Sequence, residues 1–203
     1  IVMVKDGVLL LCGQPWNGHF WREFLSGKFS RRSLIALSVE DGTHKWSGKM
    51  GYRSRPLIVG KTIVAEPWAY HLQTGKPKMR ENPITGVKER WQMSRPGHHC
   101  GPIAASAHTL AFRSGVIGFL DYTGDGGTVH FDGQRTGCHI NFVSANGLLL
   151  IPEGSSGCMC AFPNTSTVVF KHREIDRTWG RYSVEGATRP VKHLAINLGA
   201  PDD

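Results

Sequence analysis

The feature that most constrains this chain is that part of it repeats. Residues 95–133 and 135–162 read as two turns of one unit. Laid over each other, Cys100 meets Cys138, and Ser114-Gly115 meets Ser156-Gly157. Residues 116–120 then meet residues 158–162. Self-similarity of this kind predicts stacked copies of one small supersecondary unit. The unit reads as β, because 25 Gly, 11 Pro and six Trp accompany short apolar runs that turn residues interrupt. Few stretches hold a helical period for more than two turns.

Read in order, residues 1–11 form two short strands around Lys5-Asp6-Gly7, a tight-hairpin signal. Residues 12–28 are aromatic and loop-like. Residues 33–46 give an apolar strand, an Asp41-Gly42 turn, and a strand ending on Trp46. The second unit places strands at 56–59, 62–65, 68–72 and 77–80. The third places them at 101–106, 109–113, 116–121 and 128–131. The fourth places them at 139–144, 148–152, 158–162 and 166–171. Four antiparallel strands in about 40 residues is the size of a β-propeller blade. The expected fold class is therefore all-β, with about four blades at residues 1–46, 51–92, 97–133 and 135–171. Residues 172–203 read as a tail that starts a further blade or an appended segment.

One stretch resembles a known family. Residues 36–46 read A-L-S-V-E-D-G-T-H-K-W, similar to the repeat of pyrroloquinoline-quinone (PQQ) enzymes, roughly A-L-D-x-x-T-G-K-x-x-W. Tyr70-His71-Leu72-Gln73-Thr74-Gly75-Lys76 resembles it again, and Asp121-Tyr122-Thr123-Gly124 is a shorter copy. The resemblance implies a propeller. It covers quinone dehydrogenases and non-catalytic propellers alike, including an outer-membrane assembly lipoprotein. The quinoprotein alcohol dehydrogenases hold their cofactor under an adjacent Cys-Cys disulfide, and this sequence has no Cys-Cys pair. The later motifs H-C-G-P, R-T-G-C and S-S-G-C-M-C look like those of large bacterial envelope propeller proteins. In such repeats the Trp packs between blades, where a large flat ring fills the wedge. Trp46 and Trp91 are expected to take that place.

The blade pattern predicts a ligand rim. Strands alternate down and up, so the loop entering strand one and the loop between strands two and three share a face. Arg53, Arg55, Glu66, Pro67, Trp68, Arg113, Ser114 and His139 fall there. His98, His99, Cys100, Cys138, Cys158 and Cys160 fall there too, and Cys12 is expected to lie apart. Arg53, Arg55, Trp68, Arg113 and His139 are the candidate ligand-binding residues. The Cys/His group supports three readings. Thiolates and imidazoles suit zinc or copper. Disulfides are a second reading, for instance Cys138 with Cys158. Strands one and three lie roughly 9–10 Å apart, whereas a bridge needs Cα atoms within ~7 Å. The third reading is inert packing. His98, His99 and Arg113 are the catalytic candidates, with histidine as general base and arginine holding a carboxylate.

The formal net charge of +8 favours acidic partners such as anionic glycans, nucleic acid or the cell envelope, and the expected partners are an anionic glycan or an envelope protein. No nucleic-acid motif, P-loop, dinucleotide fingerprint or nucleophile elbow is present. No apolar run approaches the ~18 residues that cross a bilayer. The apolar start at Ile1 and the stop after Ala200-Pro201 are those expected of a piece of a longer chain. The expected role is a non-catalytic binding or scaffold segment of a periplasmic or extracellular propeller. The alternative is a redox or carbohydrate-active enzyme that uses the His/Cys/Arg rim.

Overall fold

Short hairpins dictate the architecture. The computed structural model describes residues 1–13, 32–82, 84–96, 99–124, 126–132, 134–137, 142–152 and 167–172. Among them the chain is all-β, with antiparallel sheets of two to four strands and no helix. The first sheet is a meander of β1 (Val2–Lys5), β2 (Val8–Gly13), β3 (Ser33–Ser38) and β4 (His44–Lys49). In β2 every second side chain is buried, the period of a strand packed on one face. Asp6 and Gly7, at φ 48° and 74°, close the β1–β2 hairpin in the left-handed region that a two-residue turn demands. Strand β4 runs on to Lys49, three residues past the expected end at Trp46, because its ladder with β3 continues to Ser33↔Lys49.

The second sheet holds β5 (Leu57–Val59), β6 (Thr62–Ala65) and β7 (Trp68–His71). Its fourth position is occupied differently from the expectation. Pro77 bridges Tyr70 and the Lys78 amide bonds to the Ala69 carbonyl. The chain then leaves as a separate hairpin, β8 (Met79–Glu81) with β9 (Lys88–Arg90), before Gln92 returns to bridge Trp68. Proline lacks the amide that would extend the ladder, which limits the pairing at Pro77.

The third sheet is β10 (Ala104–Ala105), β11 (Thr109–Ser114), β12 (Val116–Asp121) and β13 (Thr128–Phe131), in that order. The fourth is β14 (Val143–Ala145), β15 (Leu148–Ile151) and β16 (Val168–Lys171). Here one expectation is corrected. Residues 168–171, expected as the fourth strand, are the ones that pair with β15, from Leu148↔Lys171 to Ile151↔Val168, and residues 158–162 lie outside the described residues. The sequence overlay assumed equal connections, but sixteen residues separate β15 from β16, whereas a single glycine separates β11 from β12. The segment V-V-F-K carries the β-branched and aromatic residues that suit a packed strand. Its Phe170 meets Phe119 and Phe131 edge-on, with ring centroids 5.7 and 5.0 Å away.

Two apolar cores sit between consecutive sheets. Val8, Leu10, Cys12, Leu34 and Ala36 of the first sheet pack on Ile63, Ala65, Tyr70 and Leu72 of the second. Val59, Val64 and Ala69, on the opposite face of the second sheet, pack on Leu110, Phe112 and Leu120 of the third. Both tryptophans stand at these seams. Trp46 packs on the first core and donates its Nε1–H to the Leu72 carbonyl at 2.9 Å. Trp91 is buried in the second core and meets Tyr122 edge-on at 5.6 Å.

The three repeat copies fall at equivalent places, each turning the third strand of a sheet back on itself. Asp41 Oδ1 accepts from the Thr43 amide and hydroxyl. Asp121 Oδ1 accepts from the Thr123 amide and hydroxyl and from the Gly124 amide. At Gly75 the amide returns to the His71 carbonyl. Asp121 is thus a turn former, as its sequence context predicts.

Candidate functional site

In the second and third sheets the turn after the second strand and the segments beside the first strand meet along one edge. In the second sheet the β6–β7 turn is Glu66-Pro67. The Arg53 amide donates to the Glu66 carbonyl at 2.7 Å, and the Met93 amide to the Pro67 carbonyl at 2.9 Å. In the third sheet, Ser114 at the β11–β12 turn donates its hydroxyl to the Pro96 carbonyl at 2.7 Å. Short second-strand turns in these two sheets let the entering segments dock against them.

A buried ion pair forms the centre of this edge. Arg95 Nε donates to Glu66 Oε1 at 2.9 Å, Nη2 pairs with Oε2, and Nη1 donates to the Gly101 carbonyl at 3.2 Å. Both partners are almost fully enclosed. Burial by itself would raise the Glu66 pKa. The Arg95 charge and its hydrogen bonds, with a smaller contribution from His99, outweigh that and hold the carboxyl below its usual range. Glu66 is therefore an ionised clamp with both oxygens engaged.

Ser114, Arg32 and Arg135 are also bonded to the frame. The Ser114 hydroxyl proton goes to Pro96, so Ser114 Oγ accepts from His130 Nε2 at 3.1 Å. This arrangement assigns the His130 proton to Nε2. It is the reverse of an activated serine, whose proton would point to the imidazole. Arg32 is fully buried, and its Nη1 donates to the carbonyls of Tyr52 and Arg53 at 3.3 and 2.9 Å. Arg135 is buried as well, with Nη1 on the Thr136 carbonyl at 3.1 Å.

Of the candidate residues, Arg53, Trp68, His99 and Arg113 belong to this edge or flank it. The Arg53 and Arg55 side chains are exposed, while Arg113 is fully buried beside Ser114. Trp68 opens β7, and the Arg90 guanidinium covers its ring at 4.3 Å while donating to the Tyr70 hydroxyl at 3.1 Å. His99 and Cys100 are half-buried on the approach to the third sheet. His98, Cys138, His139, Cys158 and Cys160 lie outside the described residues, as do the aromatic segment 14–31 and the tail beyond residue 172. Among the described residues no three His, Cys, Asp or Glu side chains come together as a metal site. Cys12 sits in the first core, and burial pushes its thiol pKa up to about 12.

Sequence reasoning named Glu66 but missed its partner, and it missed Arg32, His130 and Arg135. One signal was available. Arg55, Arg95 and Arg135 stand 40 residues apart, since 95 − 55 and 135 − 95 are both 40. Each precedes the first strand of a sheet, and two of the three are buried.

No protein-family model matches this chain, and no curated protein matches it. Among solved structures the chain is similar to the crystal structure of BamB from Moraxella catarrhalis, with 18% identity and a TM-score of 0.34. The match covers 60% of this chain and 40% of that one, so the chain spans less than half of the structure that it matches.

Proposed function

We propose that this chain is a segment of a β-propeller of PQQ-type repeats. In this reading it acts as a non-catalytic binding or scaffold segment of an envelope-associated or secreted protein. The carrying observation is that two central polar groups of the shared edge, Glu66 and Ser114, are committed to structure. Glu66 is clamped by Arg95, and Ser114 donates to a backbone carbonyl. A general base needs a free lone pair within reach of substrate, and a nucleophile needs its proton aimed at a base. The recurrence of the repeat turn between third and fourth strand positions supports the propeller reading.

The ligand class we assign to the rim is an anionic glycan. Arg53 and Arg55 are exposed beside the Glu66-Pro67 turn, on a chain of net charge +8. Zinc or copper at His98, His99, Cys100, Cys138, Cys158 and Cys160 belongs to the same proposal, and elemental analysis of the purified protein tests it. For the glycan, heparin serves as the probe. Titration of the chain with heparin should show binding that weakens with added salt. The double substitution Arg53→Ala/Arg55→Ala should weaken it about tenfold, as expected for losing two exposed charge contacts. Equal binding by the double variant would remove the rim as the site. Release of unsaturated or newly reducing ends from the polysaccharide, lost in His99→Ala, would overturn the non-catalytic reading.

A further inference from the structure

Among the described residues, two that carry a side chain stand in the left-handed backbone region, Asp6 at φ 48° and Asn146 at φ 52°. Each opens a two-residue turn that glycine completes, Gly7 at φ 74° and Gly147 at φ 71°. The first turn joins β1 to β2 across Lys5↔Val8, and the second joins β14 to β15 across Ala145↔Leu148. The two turns share a backbone and differ in what holds them. Gln73 Nε2 donates to the Asp6 carbonyl at 2.8 Å, and the Val39 amide donates to the Gly7 carbonyl at 3.1 Å. Asn146 and Gly147 have no such tie among the described residues.

The second turn is also accessible. All of β14 is exposed, as are Asn146, Gly147 and Leu148. A Cβ at Gly147 would meet nothing within 4 Å. Asparagine side chains bend back onto neighbouring backbone amides. Glycine lacks the Cβ that would shield its nitrogen, and the amide of the second residue in a two-residue turn lies outside the ladder. Opening this turn breaks the Ala145↔Leu148 pairing and disturbs neither apolar core.

We propose that Asn146-Gly147 is a site of spontaneous deamidation, and that the reaction loosens the β14–β15 hairpin. The Gly147 nitrogen attacks Asn146 Cγ, and the new N–Cγ bond closes a succinimide. The Cγ–Nδ2 bond breaks, and the amide proton leaves with the ammonia. Water then adds at one of the two imide carbonyls. Cleavage of the N–Cγ bond gives aspartate, and cleavage of the original peptide bond gives isoaspartate. The balance is one water taken up and one ammonia released. Aspartate fits the turn, since Asp6 already holds the same conformation in β1–β2. Isoaspartate routes the main chain through Cβ and Cγ. That adds a carbon to a turn whose length the Ala145↔Leu148 register fixes. Either product adds a carboxylate and lowers the formal net charge of +8 by one.

Ageing the 203-residue chain in mildly alkaline buffer tests the proposal. Peptide mapping should show the amide of Asn146 replaced by a carboxyl, and an isoaspartate methyltransferase should label the aged chain at that peptide. Asn82 is the internal control, because the proline that follows it has no N–H. Asn146→Gly keeps a turn-forming pair and removes the reacting amide. It should lose the label at this hairpin while Asn17-Gly18 still reports in the same map. Hydrogen exchange at Leu148 and Leu150 should speed up in the aged wild type in step with the label, and stay unchanged in aged Asn146→Gly. An intact Asn146, over a time in which the urea-unfolded chain converts there, overturns the site. Full conversion with unchanged exchange in β15 overturns the loosening.

Discussion

A methyl group on Gly75 would lie 2.7 Å from the Trp46 ring, and Gly75 also holds φ at 66°. Two penalties coincide at one position. The left-handed backbone costs an L-residue about 1–2 kcal/mol, and the clash with the indole adds to it. The two separate in a double-mutant cycle. Gly75→Ala should destabilise the wild type by more than about 2 kcal/mol, but only by the backbone cost of about 1–2 kcal/mol once Trp46→Ala has removed the ring. Urea midpoints of the four proteins provide the measurement, and equal effects in both backgrounds would mean that the ring does not lie over the turn. The place of Trp46 was legible, because an aromatic residue closing a D-G turn repeat has a seam to fill. Its contact with Gly75 was not, because nothing local ties two residues 29 positions apart, the difference of 75 and 46.

Elements are joined here by buried charge as well as by apolar packing. The Glu66–Arg95 pair links the β6–β7 turn to the segment entering the third sheet. Glu66→Gln should cost about 3–5 kcal/mol, the range for leaving one buried charge without its partner. Glu66→Leu combined with Arg95→Met should recover much of that loss. The pH dependence has a definite sign. The folded carboxyl titrates below the ordinary 4.5, so the pair contributes fully above that pH and its contribution falls away as the pH drops below it. A urea midpoint that is steady above about pH 5 and falls as the pH drops below 4.5 in the wild type, and much less in the double variant, is the expected result. Hairpins with D-G turns were readable from sequence, and β12 and β13 fall where the sequence placed them. The fourth sheet was misread because equal spacing is a weak guide where a long connection intervenes. The side-chain network at the edge was unreadable for a similar reason. A buried arginine and an exposed one look alike in a sequence, and only the sheets decide which is enclosed.

Over the whole molecule, stability is shared between neighbours. The second sheet contributes to both cores, whereas among the described residues the first contributes to one and the fourth to neither. Such an array opens from its ends. Amide hydrogen exchange should therefore be slowest in β6, at Ile63 and Val64, and faster in β1, β14 and β16. Protection in β14 equal to that in β6 would show a single cooperative unit instead. The joint made by Arg32 has a further bearing on how such a chain diverges. Its guanidinium grips the Tyr52 and Arg53 carbonyls, atoms that every amino acid carries. A coupling that reads the main chain tolerates drift in the side chains of the unit it holds. Adjacent units can then lose their family likeness through mutation while the arginine keeps them aligned.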